Sequence, residues 1–237
     1  MEALRWTLPV IRWSVAVTGA ADVGFIEPMV RRRLSSLSRA ALKVAHDCLP
    51  DPADQAQGEG VRLVFASRHG ELKRTTDILL ALSQKEPVSP TAFSLSVLNA
   101  MTGVLGIARG ERAPASALSA GEETLGLALL EAHAQLLNDP SSPVLVVYAD
   151  EPVDPLYGPR EEGEESGALS ILFDSRATQL LECSRAPRTA PAGARASFGT
   201  QIDALVHCLE SKDTTRWQAQ SANAGGGWQW SLREKAG

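Results

Sequence analysis

The chain has 237 residues, 44% of them apolar, and a formal net charge of -5. That size and apolar content allow a buried core in one or two domains, and the acidic balance leaves no basic stripe to neutralise a phosphate backbone, which argues against nucleic-acid binding. No apolar run approaches the roughly 20 residues that cross a bilayer, and the start, MEALRWTLPVIRW, lacks a charged region followed by an uninterrupted signal core, so a cytoplasmic protein with no membrane contact is expected. Residues 8–17, LPVIRWSVAV, read as a first strand. Pro28 precedes a helix over about 31–48, in which Leu34, Leu37, Ala41, Val44 and Ala45 share a face. The polar DPADQAQGEG (51–60) is a loop, VRLVFA (61–66) a short apolar strand, and a helix over about 71–83 carries Leu72, Ile78, Leu79 and Leu82.

Pro87 and Pro90 break the chain before FSLSVLNAMTGVLGIARG (93–110), which is helical in spacing but rich in small residues that allow close backbone approach. Residues 113–137 read as a short strand, a tight turn and a long amphipathic helix, with Leu118 at the turn. VLVVYA (144–149) is continuously apolar and β-forming, which suits a central strand covered on both faces. Residues 151–167 hold six carboxylates and three prolines and read as a solvated loop, and GALSILFD (167–174) reads as the last strand of the core. A Pro/Ala/Arg-rich linker (184–199), a helix over 201–210 and a probable edge strand with Trp228 and Trp230 on one face complete the chain. Alternating strands and helices imply a layered α/β sheet. Cys48, Cys183 and Cys208 are odd in number and irregularly spaced, so reduced buried thiols are expected, with no disulfide framework and no metal knuckle.

SRHGE (67–71), SPTAFSLSVLNAMTG (89–103), SALSAGEETLG (116–126) and the Trp-Gln-Trp ending together resemble the short β-ketoacyl synthase-like proteins that correspond to the N-terminal half of a ketosynthase. Within that group the chain is most similar to chain length factor-type subunits of bacterial aryl polyene clusters. The resemblance implies a thiolase-like half, a βαβαβαββ layered sheet with helices on both faces, plus a C-terminal helix and short strand. It implies a ketosynthase-like domain over 1–183, a linker over 184–199, and residues 200–237 packing on the same domain.

What the resemblance implies for chemistry is mostly negative. Ketosynthases place Thr-Ala-Cys-Ser-Ser/Ala-Gly at the nucleophile turn, where this chain has Ser116, Ala117, Leu118, Ser119, Ala120 and Gly121. A thiolate at a helix N-terminus is activated by unpaired N–H groups and the helix dipole, and Leu118 has no such atom. The two histidines of a ketosynthase's second half also have no match. The expected role is therefore a non-catalytic subunit without cofactor or metal. It would pair with a catalytic ketosynthase, meet acyl carrier protein only indirectly, and limit chain length by steric volume. The interface and acyl-tunnel wall would comprise Phe93, Leu95, Ser96, Leu98, Asn99, Met101, Gly103, Ala115, Ser116, Ala117, Leu118 and Ser119, although the same residues could fill the chain's own core.

Other readings remain open at this stage. Ser116 and Ser119 need an adjacent base, but His133 lies roughly 21 Å along the helix from Ser119, and neither His46 with Cys48 nor His207 with Cys208 shares a helix face. A malonyl-thioester decarboxylase could polarise substrate with backbone N–H groups near Leu118 and Ser119, and an acyl or carrier-protein binding module would need no chemistry. The run VFASRHGE also fits a histidine phosphatase locally, provided a second histidine and arginine join His69. The carboxylates at 161, 162, 164 and 165 lack metal-ligand spacing.

Overall fold

The structure, a computed structural model, describes residues 4–17, 19, 21–51, 60–158, 166–186, 198–219 and 226–235. Its framework is one eight-stranded mixed sheet in the order β3-β2-β4-β5-β1-β6-β8-β7. The strands are β1 (Arg5–Ala16), β2 (Arg62–Ala66), β3 (Ala115–Leu118), β4 (Val144–Asp150), β5 (Gly167–Phe173), β6 (Gln179–Ala186), β7 (Thr215–Gln218) and β8 (Gly227–Glu234). Strands β2, β3 and β4 are parallel, while every pairing from β4 through β5, β1, β6 and β8 to β7 is antiparallel.

Helices cover both faces. On one, α2 (Ser36–Cys48), begun by a Ser35 cap that accepts the Ser38 N–H at 3.0 Å, buries Leu37, Ala40, Ala41, Val44, Ala45 and Cys48. Its alanines let it lie close enough to β5 for the Ser170 hydroxyl to donate to the Val44 carbonyl at 2.6 Å. On the other, α6 (Thr124–Asn138) and α7 (Gln201–Ser211) bury Leu125, Leu129, Leu136, Ile202 and Leu205 against the sheet. Both β4 and β5 are buried along their whole length, as the unbroken apolar run VLVVYA anticipates.

A short α1 (Pro28–Arg31) precedes α2. Between β2 and β3 come α3 (Leu72–Ser83), α4 (Pro90–Ser94) and α5 (Ala100–Arg109). The stretch read as one helix over 93–110 is thus two, because α4 is capped by Ser89, ends at Leu95, and the Ser96 hydroxyl turns back to the Phe93 carbonyl at 2.8 Å. Helix α3 departs further from expectation. Thr76 is its one buried residue, while Leu79, Leu80 and Leu82 face outward, so its apolar stripe is turned from the core. None of the described helices is long and apolar enough to cross a membrane.

The C-terminal region also differs from its reading. Strand β5 is not the last of the core, since β6 follows and continues through Ala186 into the stretch read as linker; residues 187–197 of that stretch lie outside the described ones. Strand β8 is not an edge: it lies between β6 and β7, and β7 forms the margin. Trp228 and Trp230 are fully buried beside Trp217, and Trp6 meets Trp228 edge-on at 5.8 Å. Periodicity marks Trp228 and Trp230 as sharing a face, but not which strands flank them.

At the far end of β2, Arg62 ties α6 to β4. Its guanidinium donates to the carbonyls of Gln135 (2.8 Å), Asp139 (2.7 Å) and Ser142. Hydrogen bonds from the Ser141 and Ser142 hydroxyls hold the Asp139 carboxyl down at about 2.

Two glycines give a contrast that tests this packing. A methyl at Gly126 would run into the Trp228 indole, whereas one at Gly103 meets nothing within 4 Å. Gly126→Ala should cost about 1–3 kcal/mol, and Gly103→Ala should raise stability by about 0.5–1 kcal/mol through helix propensity, both read from denaturant unfolding.

Candidate functional site

Parallel strands deliver their C-terminal ends to one rim, the usual place for ligands in open α/β sheets. Here β2 runs into Ser67–Glu71, β3 into Leu118–Gly121, and β4 into Asp150 and Glu151. Asp150, 1% exposed, joins two of these ends: Oδ1 accepts from the Ser67 hydroxyl (3.2 Å) and the His69 N–H (3.2 Å). The His69 ring nitrogen Nδ1 lies 3.5 Å from the same oxygen. Gly70 (φ +59) closes the turn by donating its N–H to Ser67 Oγ at 2.8 Å. The third end is tied on by the Ser67 N–H to the Leu118 carbonyl (3.3 Å) and the Ser119 hydroxyl to the Arg68 carbonyl (2.9 Å). Nothing in the spacing of the sequence pairs Asp150 with SRHGE; only the alignment of β2 beside β4 does so.

Leu118 ends β3 with its side chain half-buried against the core beneath α6. A 3-10 turn, Gly121–Glu123, separates it from α6, with Gly121 in the left-handed conformation (φ +58). The Thr124 hydroxyl donates to the Gly121 carbonyl (2.6 Å) and accepts the Ala120 N–H (2.9 Å). Two acids occupy this helix start: Glu123, bound by Arg185 at 2.7 Å, and Glu122, 3.9 Å from Arg68. The favourable end of the helix dipole is thus matched by fixed carboxylates.

The residues expected at an interface divide. Phe93 is 61% exposed, and Asn99, Gly103, Ala115 and Ser119 are exposed as well. Leu95, Ser96, Leu98, Ser116, Ala117 and Leu118 are half-buried. Met101, 3% exposed, packs with Leu105 into the core beneath α2, because α5 turns that face inward. A cavity of about 370 Å³ opens beside β3, between Pro114–Ser116 and the end of α6. Another, about 440 Å³, lies at the opposite end of the sheet around Arg5, Thr7, Glu182 and Ser231.

No second histidine joins His69, so the requirement of a phosphatase pocket is not met. His46 stacks on Phe25 at 4.0 Å, His133 Nδ1 bonds the Thr7 carbonyl at 3.1 Å, and the His207 ring lies 4.0 Å from Asp213. Among the described residues no cluster of His, Cys, Asp and Glu could hold a metal ion; the carboxylates at 161, 162, 164 and 165 lie outside them. Burial, and after it the neighbouring Glu71, push the Glu151 carboxyl above its usual range.

All three cysteines are free and buried. Burial raises Cys48 and Cys208 to about 11 and Cys183 well above the ordinary thiol value. The folded state therefore favours the neutral thiol, and the stability this contributes is complete below the unfolded value of 9.0 and lost as pH climbs through about 11. Denaturant melts should show this alkaline loss. Below pH 9.0, iodoacetamide should leave the native cysteines unmodified, while Leu118→Cys adds a single alkylated site detectable by mass spectrometry.

The sequence profile described as beta-ketoacyl synthase, N-terminal domain, matches residues 6–231. No curated protein matches the chain. Among solved structures, the ketosynthase ApeO in complex with its chain length factor ApeC from Xenorhabdus doucetiae aligns with a TM-score of 0.72 at 23% identity, over 95% of this chain and 99% of that one. The ishigamide ketosynthase/chain length factor aligns with a TM-score of 0.67 at 15% identity, over 97% and 99%. A type II polyketide synthase acyl carrier protein in complex with its ketosynthase gives a TM-score of 0.51 at 14% identity, over 86% of this chain but 60% of that one. These likenesses establish the thiolase-like fold, and the profile, spanning nearly the whole sequence, establishes descent: the chain belongs to the beta-ketoacyl synthase N-terminal domain family.

Proposed function

We propose that this chain is a catalytically silent, chain length factor-like subunit that pairs with a catalytic β-ketoacyl synthase in the cytoplasm. It would set acyl length by steric volume in aryl polyene-type biosynthesis. The observation that carries the reading is where its apolar surface lies. Between β2 and β3 the chain exposes Leu79, Leu80 and Leu82 of α3, Phe93 of α4, Val97, and Ile107 of α5, the last 85% exposed. Exposed apolar side chains mark interaction surfaces where they form a patch. They belong to the excursion that leads into β3, a strand paired on one side among the described residues. A partner strand added there would continue the sheet and cover this surface.

Silence is supported by Leu118 at the end of β3 and by the high values of all three thiols. Glu122 and Glu123 also oppose a decarboxylase, because they would repel the enolate oxyanion that such a site must stabilise. Two chains of matching length in the solved structures come from ketosynthase/chain length factor complexes, which agrees with the reading.

Co-expression with the ketosynthase encoded beside it should give a heterodimer by native mass spectrometry. Gly103→Leu should disrupt co-purification while leaving the thermal midpoint of the isolated chain within about 3 °C, since the site is open. Phe93→Ala should shift the product-length distribution. Failure to co-purify, together with unchanged products when the chain is omitted, would sink the proposal.

A further inference from the structure

Along β1, β6 and β8 successive side chains alternate between the two faces of the sheet. Trp6, Cys183, Trp228 and Trp230 belong to the core beneath α6 and α7. The residues between them, Arg5, Thr7, Glu182, Ser184, Gln229 and Ser231, line the cavity of about 440 Å³. Register makes that lining a grid. Arg5, Ser184 and Gln229 stand opposite one another across the three strands, and Thr7, Glu182 and Ser231 form the next row. Neighbouring strands lie about 4.8 Å apart, so one small molecule spans a row, and the volume is that of a small-molecule site.

The two rows differ in what they offer a ligand. In the first, Arg5 is exposed and makes no ion pair among the described residues. Gln229 accepts from Arg216 Nε through Oε1 at 2.8 Å, which commits its oxygen and leaves its amide N–H groups to donate. Arg216 stands opposite Gln229 in register and extends the row with a second positive charge. Ser184 adds a hydroxyl. The second row is one of acceptors. Glu182 is held by Arg233 Nε at 2.5 Å and by the Ser231 hydroxyl at 3.4 Å, and a carboxylate with about four lone-pair sites keeps capacity for more. His133 also lines the cavity, and its Nδ1 lies 3.1 Å from the Thr7 carbonyl, a group that only a donor satisfies. The neutral ring therefore has its acceptor at Nε2.

We propose that this cavity binds a small phosphorylated polyhydroxy compound, its phosphoryl group held by Arg5, Ser184 and Gln229 and its hydroxyls donating to Glu182 and His133. A phosphoryl group presents three acceptor oxygens, which matches donors arriving from three strands better than a planar carboxylate with two oxygens does. Arg233 offsets the charge of Glu182, so the second row does not repel the anion. A bare inorganic anion engages the first row alone and a neutral sugar the second alone, whereas a molecule carrying both groups uses the whole lining. The cavity lies at the opposite end of the sheet from β3 and Leu118, so the inference is independent of the pairing role proposed above.

The test is isothermal titration calorimetry of the full chain with glycerol 3-phosphate, ribose 5-phosphate and glucose 6-phosphate, and with inorganic phosphate and glucose as the separated halves. At least one phosphorylated compound should bind once per chain, about tenfold or more tightly than inorganic phosphate or glucose. Arg5→Gln should weaken that binding about tenfold or more. Glu182→Gln should narrow the advantage over inorganic phosphate to about threefold or less. Both variants should keep the wild-type unfolding midpoint, because Arg5 is exposed and the Glu182–Arg233 pair lies at the surface. No binding of any of the three phosphorylated compounds, inorganic phosphate binding as tightly as they do, equal affinity in Arg5→Gln, or an unchanged advantage in Glu182→Gln each overturns the inference.

Discussion

Strand β3 is bonded to β2 along one side, and among the described residues no strand pairs its other side. An open edge is a hazard that folded proteins guard with charge, proline or a bulge, or else consume by pairing. This one is four residues, Ala-Ser-Ala-Leu, with no charge and no proline inside it. The surrounding structure is consistent with consumption. Three helices precede the edge, their apolar side chains on α3, Phe93 and Ile107 are left exposed, and the small residues of α5 leave room for another backbone. The opposite margin of the sheet differs, because β7 caps a region already stabilised by the Trp6, Trp217, Trp228 and Trp230 cluster. Among the described residues both margins carry a strand paired on one side, β7 beside the tryptophan cluster and β3 short and uncharged.

The turn after β3 keeps its geometry through Gly121 and Thr124, and the turn after β2 is locked to β4 by Asp150. A hydrocarbon ends β3, carboxylates stand at the start of α6, and the three thiols lie where burial keeps them protonated.

Much of this was legible in the residues. The run VLVVYA announced a strand buried on both faces, Leu37, Ala41, Val44 and Ala45 one face of α2, and SALSAGEETLG the strand, turn and helix around Leu118. Other features were not. Met101 and Phe93 lie in one small-residue stretch, and their fates differ because the chain breaks between α4 and α5, which resets the helical phase. Leu79 and Leu82 have the spacing of a core face, yet the helix is rotated outward because Thr76 is the face that meets the body of the protein. Periodicity reports that a stripe exists, not which way it points.

The sequence by itself determined most of the elements, the family and the leucine at the turn after β3, because hydrophobic period, turn chemistry and the identity of residue 118 are local properties that survive in a one-dimensional string. Only the tertiary structure decided that β8 lies inside the sheet and that Asp150 governs the SRHGE turn. Those relations are set by strand order and by hydrogen bonds between segments many residues apart. The energy that fixes them comes from burial and register across the whole sheet, which no short window of sequence contains.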